Sequence, residues 1–357
     1  MLFTVLVINP GSTSTKFAVF SGMDRIFDQS LSHSAADLAN FPTIASQYEF
    51  RERAIQRALV ERRFDLKTLD AVVGRGGLLH PIPGGVYRVT EAMKADLLSA
   101  QYGEHASNLG GLIADAFARQ LGISAFIADP VVVDELDDVA RVSGHRLFKR
   151  ISIFHALNQK AVAHRYAKSC NRRYEDLNLI VAHLGGGVSI GFHRHGRVVD
   201  VNQALSGEGP FTPERSGTLP ASDLAKLCFS GQYSLQEVLK MITGKGGMVS
   251  FLGTNDMREV SRMREEGNKE ADLYYRAFAY QVGKSIGAAA AAAHGVVDAI
   301  VLTGGIAHSK DLTDRIAEMV SFIAPIVVYP GEGELEALAL AGHMALSGET
   351  EIKEYVP

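Results

Sequence analysis

Cysteine is nearly missing from this chain: Cys170 and Cys228 are the only two among 357 residues. They stand far apart, outside any CxxC pair or His-rich stretch. A disulfide scaffold and a cysteine-held zinc centre are therefore excluded, and two buried free thiols in a reducing compartment are expected. An excess of positive charge is missing too. Lys and Arg number 36 against 40 Asp and Glu, for a net charge of −4, so the chain lacks the electrostatic footprint of a nucleic-acid binder. Long hydrophobic runs are absent. The opening MLFTVLVINPG has no basic flank and only about seven apolar residues, short of a secretory leader or a membrane span. The run at 287–293 is alanine and glycine, too short and too weakly apolar to span a bilayer. These absences predict a cytoplasmic protein with neither nucleic-acid nor membrane partners. The phosphate loop GxxxxGK[ST] is also not found.

What is plentiful is glycine, 35 residues in all. It follows no collagen-like period, so it signals tight turns and close backbone approaches. Hydrophobic residues at 46% and charged residues at 21% are ordinary for a globular chain. At roughly 100–200 residues per domain, the length suggests about two domains, each large enough to bury a core unaided.

Apolar runs punctuated by glycine and proline predict strands at 2–8, 16–20, 69–73, 124–128, 177–182, 188–193, 197–201, 298–303 and 326–329. Helices are expected at 51–62, 105–121, 155–167 and 334–346. In the second of these, Leu109, Leu112, Ile113, Ala116 and Phe117 recur at helical spacing. Alternating strands and helices point to an α/β architecture. One plan occurs twice: residues 5–20 and 179–192 each run from a buried strand through a polar residue and small turn residues into a second strand. Asn9-x-Gly11 pairs with His183-x-Gly185 almost half the chain later, which suggests a duplicated domain.

Glycine turns let peptide N–H groups approach an anion. NPGSTSTK adds the hydroxyls of Ser12 and Ser14 and the cation Lys16. HLGGG adds His183 beside Gly185, Gly186 and Gly187. Two such turns suit a polyphosphate. Arg75 in GRGG and Arg215 in PERSG either clamp an oxyanion bidentately or lie in polar surface loops. His105 and His155 stand where helices begin, as caps or as partners of an anion. Asp129 ends a strand, where carboxylates meet ligands in α/β folds, or serves as a turn residue. Glu332, Glu334 and Glu336 precede the last helix, as dipole partners or as magnesium ligands. Residues 287–293 read as a helix packed on a sheet.

The ordered series NPGSTSTK, VGRGG, GEHASNLGG, FHALNQKA, AHLGGG, PERSG, TNDMRE and LTGGI spans nearly the whole chain. It resembles the acetate and butyrate kinase family of the sugar kinase–heat-shock protein 70–actin superfamily, with an opening closer to the butyrate branch. The resemblance implies duplicated actin-like (ribonuclease H-like) α/β domains with a nucleotide cleft between them: 1–153 with 337–357, and 154–336. It implies ATP, ADP and Mg²⁺, a small carboxylate such as butanoate or isobutanoate converted to its acyl phosphate, and a homo-oligomer. Acetate or propionate, or a sugar, would be the alternative acceptor. Carried over by position, Arg75, Arg215, His155, Asp129 and His105 are catalytic, and Asn9, Ser12, Ser14, Lys16, His183 and Gly185–Gly187 attend the phosphates. Asp256, Met257 and Arg258 with Gly304, Gly305 and Ile306 flank the nucleoside. Asn9 and Glu336 attend the metal, with the register against Glu334 open. Gly77 and Phe154 line the acid pocket, and Gly77, where acetate kinases carry valine, would open room for a longer acyl tail. His308-Ser309 departs from the Glu-Asn common in acetate kinases.

Overall fold

The strands form where valine, leucine and isoleucine alternate or run together. The computed structural model of the chain describes residues 2–357. Its strands are β1 (Thr4–Pro10), β2 (Ser14–Ser21), β3 (Asp24–Ser32), β4 (Ala71–Arg75), β5 (Val86–Arg88), β6 (Ser124–Ala128), β7 (Asn178–Leu184), β8 (Val188–Arg194), β9 (Arg197–Val201), β10 (Ala299–Gly304), β11 (Ile326–Pro330) and β12 (Ile352–Lys353). They make one sheet in the order β12-β5-β6-β4-β1-β2-β3 and another in the order β11-β10-β7-β8-β9.

The chain divides into two compact units, one running to Val133 and resuming at Gly333–Pro357, the other Asp134–Glu332. Both boundaries lie ahead of the expected 153/154 and 336/337, for visible reasons. Residues just after Val133 are bonded to β9: the Asp137 N–H donates to Val199 O at 2.9 Å and the Val198 N–H to Glu135 Oε2 at 2.8 Å. Glu135 also forms a buried ion pair with Lys160 at 3.0 Å. At the other end, the helix Glu334–Ser347 belongs to the first sheet, with Gly342 against Val5 and Val73.

The expected duplication is present. β3-β2-β1-β4-β6 and β9-β8-β7-β10-β11 have the same order and directions: antiparallel, antiparallel, parallel, parallel. In the first unit, successive residues of β4 face opposite ways. Val73 meets the helix Glu334–Ser347, while Gly74 meets Gly110 of the helix Asn108–Leu121 so closely that a β-carbon on either glycine would overlap backbone. In the second unit, Leu179, Val181, Ala299 and Val301 pack with Val162 and Ala163 of the helix Ala156–Ser169. The alternate residues Ile180, Ala182, Ile300 and Leu302 pack with Phe278, Val282 and Ile286 of the helix Lys269–Ala292. That helix contains the alanine-rich run from Gly287 to Ala292, with Ala293 as its cap.

Both cysteines are free and exposed rather than buried, because each falls at the surface end of a helix. β3 escaped the sequence reading because DRIFDQSLS is a largely exposed, polar edge strand. β5 and β12 are too short to show a pattern.

Candidate active site

In the first unit, the parallel strands β1, β4 and β6 end at one edge of the sheet, where open α/β sheets commonly bind ligands. Their ends carry Asn9, Arg75 and Asp129. Arg75 Nη1 donates to Asn9 Oδ1 at 3.2 Å and pairs with Glu334 Oε1 at 2.9 Å. Asn9 Nδ2 donates to Glu334 Oε2 at 2.5 Å and closes the triangle. Asn9 and Lys16 are directly paired across β1 and β2, so their side chains share a face of the sheet, Lys16 exposed. Asp129 adopts φ +35° and receives the Gly85 N–H on Oδ1 at 2.7 Å. His105 Nδ1 receives the Ser107 N–H at 3.2 Å, which leaves the proton of the neutral ring on Nε2. Burial, and next the Arg75 charge, lower the His105 pKa.

Ser12 is exposed and Ser14 half-buried in the turn between β1 and β2. Behind this turn lies a residue with no signal in the sequence, Arg51 on the helix Tyr48–Glu61, 1% exposed. Its Nη1 donates to Gly11 O at 2.6 Å, Ser14 O at 3.0 Å and Thr15 Oγ1 at 3.3 Å. Nη2 donates to Ser12 O at 3.0 Å and Gln47 Oε1 at 2.8 Å. None of these acceptors is a carboxylate. Every peptide bond among the described residues is trans, so carbonyls of Gly11 and Ser12 directed at Arg51 send the N–H groups of Ser12 and Thr13 the other way. The buried guanidinium thus holds the turn with these two N–H groups directed away from it.

In the second unit, His155 caps the helix Ala156–Ser169 and His183 lies near the end of β7. Their rings stack with centroids 3.8 Å apart and planes 9° from parallel. His155 Nδ1 is 2.8 Å from Ser189 Oγ, and His183 Nδ1 is 2.7 Å from Asn158 Oδ1. A β-carbon on Gly187 would overlap Arg215 Nη1 and lie 3.2 Å from His155 Cε1, so glycine here lets the guanidinium sit beside the imidazole. Thr212 fastens the arginine loop to the glycine turn. Its hydroxyl donates to Gly186 O at 2.7 Å and receives the Arg215 N–H at 3.0 Å. Arg215 Nη1 donates to Ala204 O at 2.6 Å, while its buried Nε–H has no partner. Burial lowers the Arg215 pKa, with Glu214 opposing.

A cavity of about 660 Å³ opens in the same unit, lined by Gly185, Gly186, Asp256, Met257, Arg258 and Ile306 among others. Gly305, Tyr275, His308 and Ser309 also line it. The volume suits a nucleoside-sized ligand. Asp256 caps the helix Met257–Glu265, and the Arg258 side chain and N–H hold its carboxyl down at about 2. Tyr275 OH and Ser309 Oγ are 3.0 Å apart.

Three expected positions sit otherwise than the sequence suggested. Glu336 is directed at Arg25, 3.6 Å away on the surface, so Glu334 is the carboxylate beside Asn9 and Arg75. Gly77 opens no room: a β-carbon there would lie 2.6 Å from Asn108 Cα and 2.7 Å from Leu97 Cδ2. The glycine lets backbone pack, and valine in its place would disturb the fold before it could select an acid. Phe154, the other residue expected at the acid pocket, is buried, which leaves that expectation as it was. Gly304, at φ +89°, lets β10 approach the Leu184 backbone and does not line the cavity.

Residues 143–324 match the Acetokinase family. Butyrate kinase 2 of Clostridium acetobutylicum is 56% identical over 355 residues, covering 99% of this chain and 100% of that protein. A probable butyrate kinase of Clostridium botulinum strain Alaska E43 is 53% identical with the same coverage. Among solved structures, the acetate kinase of Porphyromonas gingivalis matches with a TM-score of 0.78 at 19% identity, over 97% of this chain and 100% of that one. The Entamoeba histolytica acetate kinase matches at 0.72 and 16%, over 94% and 97%. These structures establish the duplicated actin-like fold. With its sequence likeness running from end to end, the chain belongs to the acetokinase family, beside the butyrate kinases.

Proposed function

We propose that this protein transfers the γ-phosphoryl group of ATP to a short-chain carboxylate, butanoate or isobutanoate, forming the acyl phosphate and ADP in a reversible, direct in-line step. The observation that carries the acid's identity is the 56% identity to a protein named butyrate kinase over its full length. The chemistry of the residues supports it. A carboxylic acid is already ionised at neutral pH, so its attack needs no general base. The obstacle is repulsion between two anions, and the answer is cations and donors placed in advance.

In this reading Arg75 and Arg215 clamp the acid and the migrating phosphoryl group, the unpartnered Nε–H of Arg215 supplying one donor. His155 donates to the phosphoryl oxygens, and His105 offers Nε2–H. Ser12, Ser14 and Lys16 attend the transferred group, Asp129 orients its neighbours, and His183 with Gly185–Gly187 attends the remaining phosphates. The cavity at Asp256, Met257, Arg258, Gly305 and Ile306 takes the nucleoside. No cluster of three or more His, Cys, Asp or Glu suited to a metal occurs among the described residues. The Mg²⁺ of this reading keeps its waters and the substrate phosphates and needs one or two protein carboxylates. Glu334, with Asn9, would hold it, and the ion would neutralise phosphate charge.

No described helix is long and apolar enough to cross a membrane; this reading places the enzyme in the cytoplasm. A homo-oligomer is part of the same reading, supported by exposed Phe229, which follows the helix Ala221–Cys228, and by exposed Leu235 and Leu239 on the helix Leu235–Ile242. Light scattering after gel filtration tests it.

The function is tested by trapping acyl phosphate with hydroxylamine, with ATP and Mg²⁺, across acetate, propionate, butanoate, isobutanoate and a sugar control. The greatest rate with a four-carbon acid is expected. A greatest rate with acetate refutes the acid assignment, and silence with every acid refutes the reaction.

A further inference from the structure

Asn158 and Gln159 sit side by side near the start of the helix Ala156–Ser169, and the reaction as described uses neither. Each reaches one of the two stacked imidazoles, directly or through one hydroxyl. We propose that Asn158 and Gln159 are positioning residues that fix His183 and His155 in opposite tautomers: His155 presents Nε2–H, and His183 presents an Nε2 lone pair.

Both amides are oriented by a main-chain carbonyl, which can only accept. Asn158 Nδ2 donates to Glu332 O at 2.5 Å. Its other end, facing His183 Nδ1 at 2.7 Å, is therefore the oxygen. An amide oxygen cannot donate, so His183 Nδ1 bears the proton and Nε2 of the neutral ring carries a lone pair in place of a hydrogen. Gly185 belongs to the same arrangement, because a β-carbon there would come within 2.9 Å of His183 Nε2.

Gln159 Nε2 donates to Ser189 O at 3.0 Å and to Ser189 Oγ at 2.8 Å. One amide proton serves each oxygen. Having accepted from Gln159, the Ser189 hydroxyl gives its own proton to His155 Nδ1, 2.8 Å away. The proton of neutral His155 is then on Nε2. Behind Gln159 the same logic continues: Oε1 receives the proton of His193 Nε2 at 2.9 Å, so His193 Nδ1 receives the Tyr174 hydroxyl at 2.7 Å. His193 is fully buried and therefore neutral. Gly191 makes the space, since a β-carbon would lie 2.6 Å from Gln159 Oε1.

Every bond in this series points one way: Tyr174 to His193, to Gln159, to Ser189, to His155. Such a chain polarises in one direction and leaves a donor at its end. The end is the ring beside Arg215. Gln159 and Ser189 thus hold ready the proton that the phosphoryl group would meet, and this kinetic consequence rests on the proposed phosphoryl transfer.

The test is ¹⁵N NMR of the full chain labelled at histidine, with His155→Gln and His183→Gln to assign the rings. At neutral pH His155 is expected as the Nε2–H tautomer and His183 as Nδ1–H. Gln159→Met keeps the volume and removes the donor. His155 should then lose its single tautomer while His183 keeps its own, and kcat should fall on the order of 10–100-fold with KM for nucleotide unchanged. Ser189→Ala should give the same signature and Ser189→Thr should restore it, which keeps the test open if Gln159→Met misfolds. An Nδ1–H tautomer of His155 in the wild type overturns the proposal, as does an unchanged tautomer in both folded variants. The spectra need no substrate, so a protein that makes no acyl phosphate refutes the reaction and leaves the tautomers to be judged alone.

Discussion

Arg51→Lys separates the geometry of a buried cation from its charge. Arginine presents five N–H donors in a plane, and lysine three from a single point. Of the oxygens Arg51 serves, Thr15 Oγ1 is also 2.8 Å from His33 Nε2, and Ser14 O also receives the Gly11 N–H at 2.8 Å. Those depending on Arg51 are Gly11 O, Ser12 O and Gln47 Oε1, reached by two different terminal nitrogens. An ammonium at one position meets one of these groups well and leaves one or two short. At ~1–3 kcal/mol for each unmet buried group, the cost is about 2–4 kcal/mol. The loss is local, so hydrogen exchange over residues 5–20 reads it better than global unfolding. The exchange-competent opening should become about 30- to 1,000-fold more populated, at 1.4 kcal/mol per factor of ten. Because the same turn is proposed to attend the transferred phosphoryl group, kcat should fall in parallel. Unchanged exchange in Arg51→Lys would refute the idea that the planar fork, rather than the positive charge, holds the turn.

Gly187→Ala should cost little stability, since the overlapping atom is the far end of the flexible Arg215 side chain. It should lower kcat by about 10²-fold by displacing that guanidinium, measured with thermal melting beside the acyl phosphate assay. Arg75→Ala and Arg215→Ala should each lose at least ~10²-fold in kcat, and near-wild-type turnover in either removes that arginine from the reaction. Gly110→Ala should do the reverse of Gly187→Ala. Its new β-carbon meets the Arg75 backbone, so stability should drop by ~1–3 kcal/mol or more, seen as a lower urea midpoint. His33, His105, His164 and His193 all have lowered pKa values, burial being the largest cause for each. The unfolded chain therefore binds more protons than the folded one below the usual value of 6.5, so stability is full above it and declines as pH falls through it. The urea midpoint should be lower at pH 5.5 than at pH 7.5, and equal midpoints contradict this.

The duplicated topology was legible because buried strands write themselves as apolar runs, and because Asn9 and His183 occupy the same place in β1 and β7. Strand ends were legible for the same reason. Once β1 and β4 are placed, Asn9 and Arg75 reach one edge without further information. What was not legible depends on partners distant in the chain. Asn9 and Glu334 are 325 positions apart. Nothing near Glu334 distinguishes it from Glu336, which lies about 200° around the helix and points at Arg25. The distinction is made where the helix begins, after Gly333 at φ +55°. Arg51 is hidden by its own helix, whose other charges read as a solvated surface, and only folding sets that side chain against residues 11–15.

Glycine shows most clearly what a sequence withholds. Gly77 and Gly187 are the same letter in similar glycine-rich runs, and each invites the reading that a missing side chain leaves a space. At Gly77 the space is filled by Asn108 Cα and Leu97, so the glycine secures a helix against a strand end. At Gly187 it is filled by the far end of the Arg215 side chain, so the glycine admits a guanidinium, proposed to take part in the reaction, beside His155. The two differ in whether the neighbour can move. Substitution should therefore separate them cleanly: a lost fold with intact chemistry in whatever remains folded at Gly77, and an intact fold with lost chemistry at Gly187.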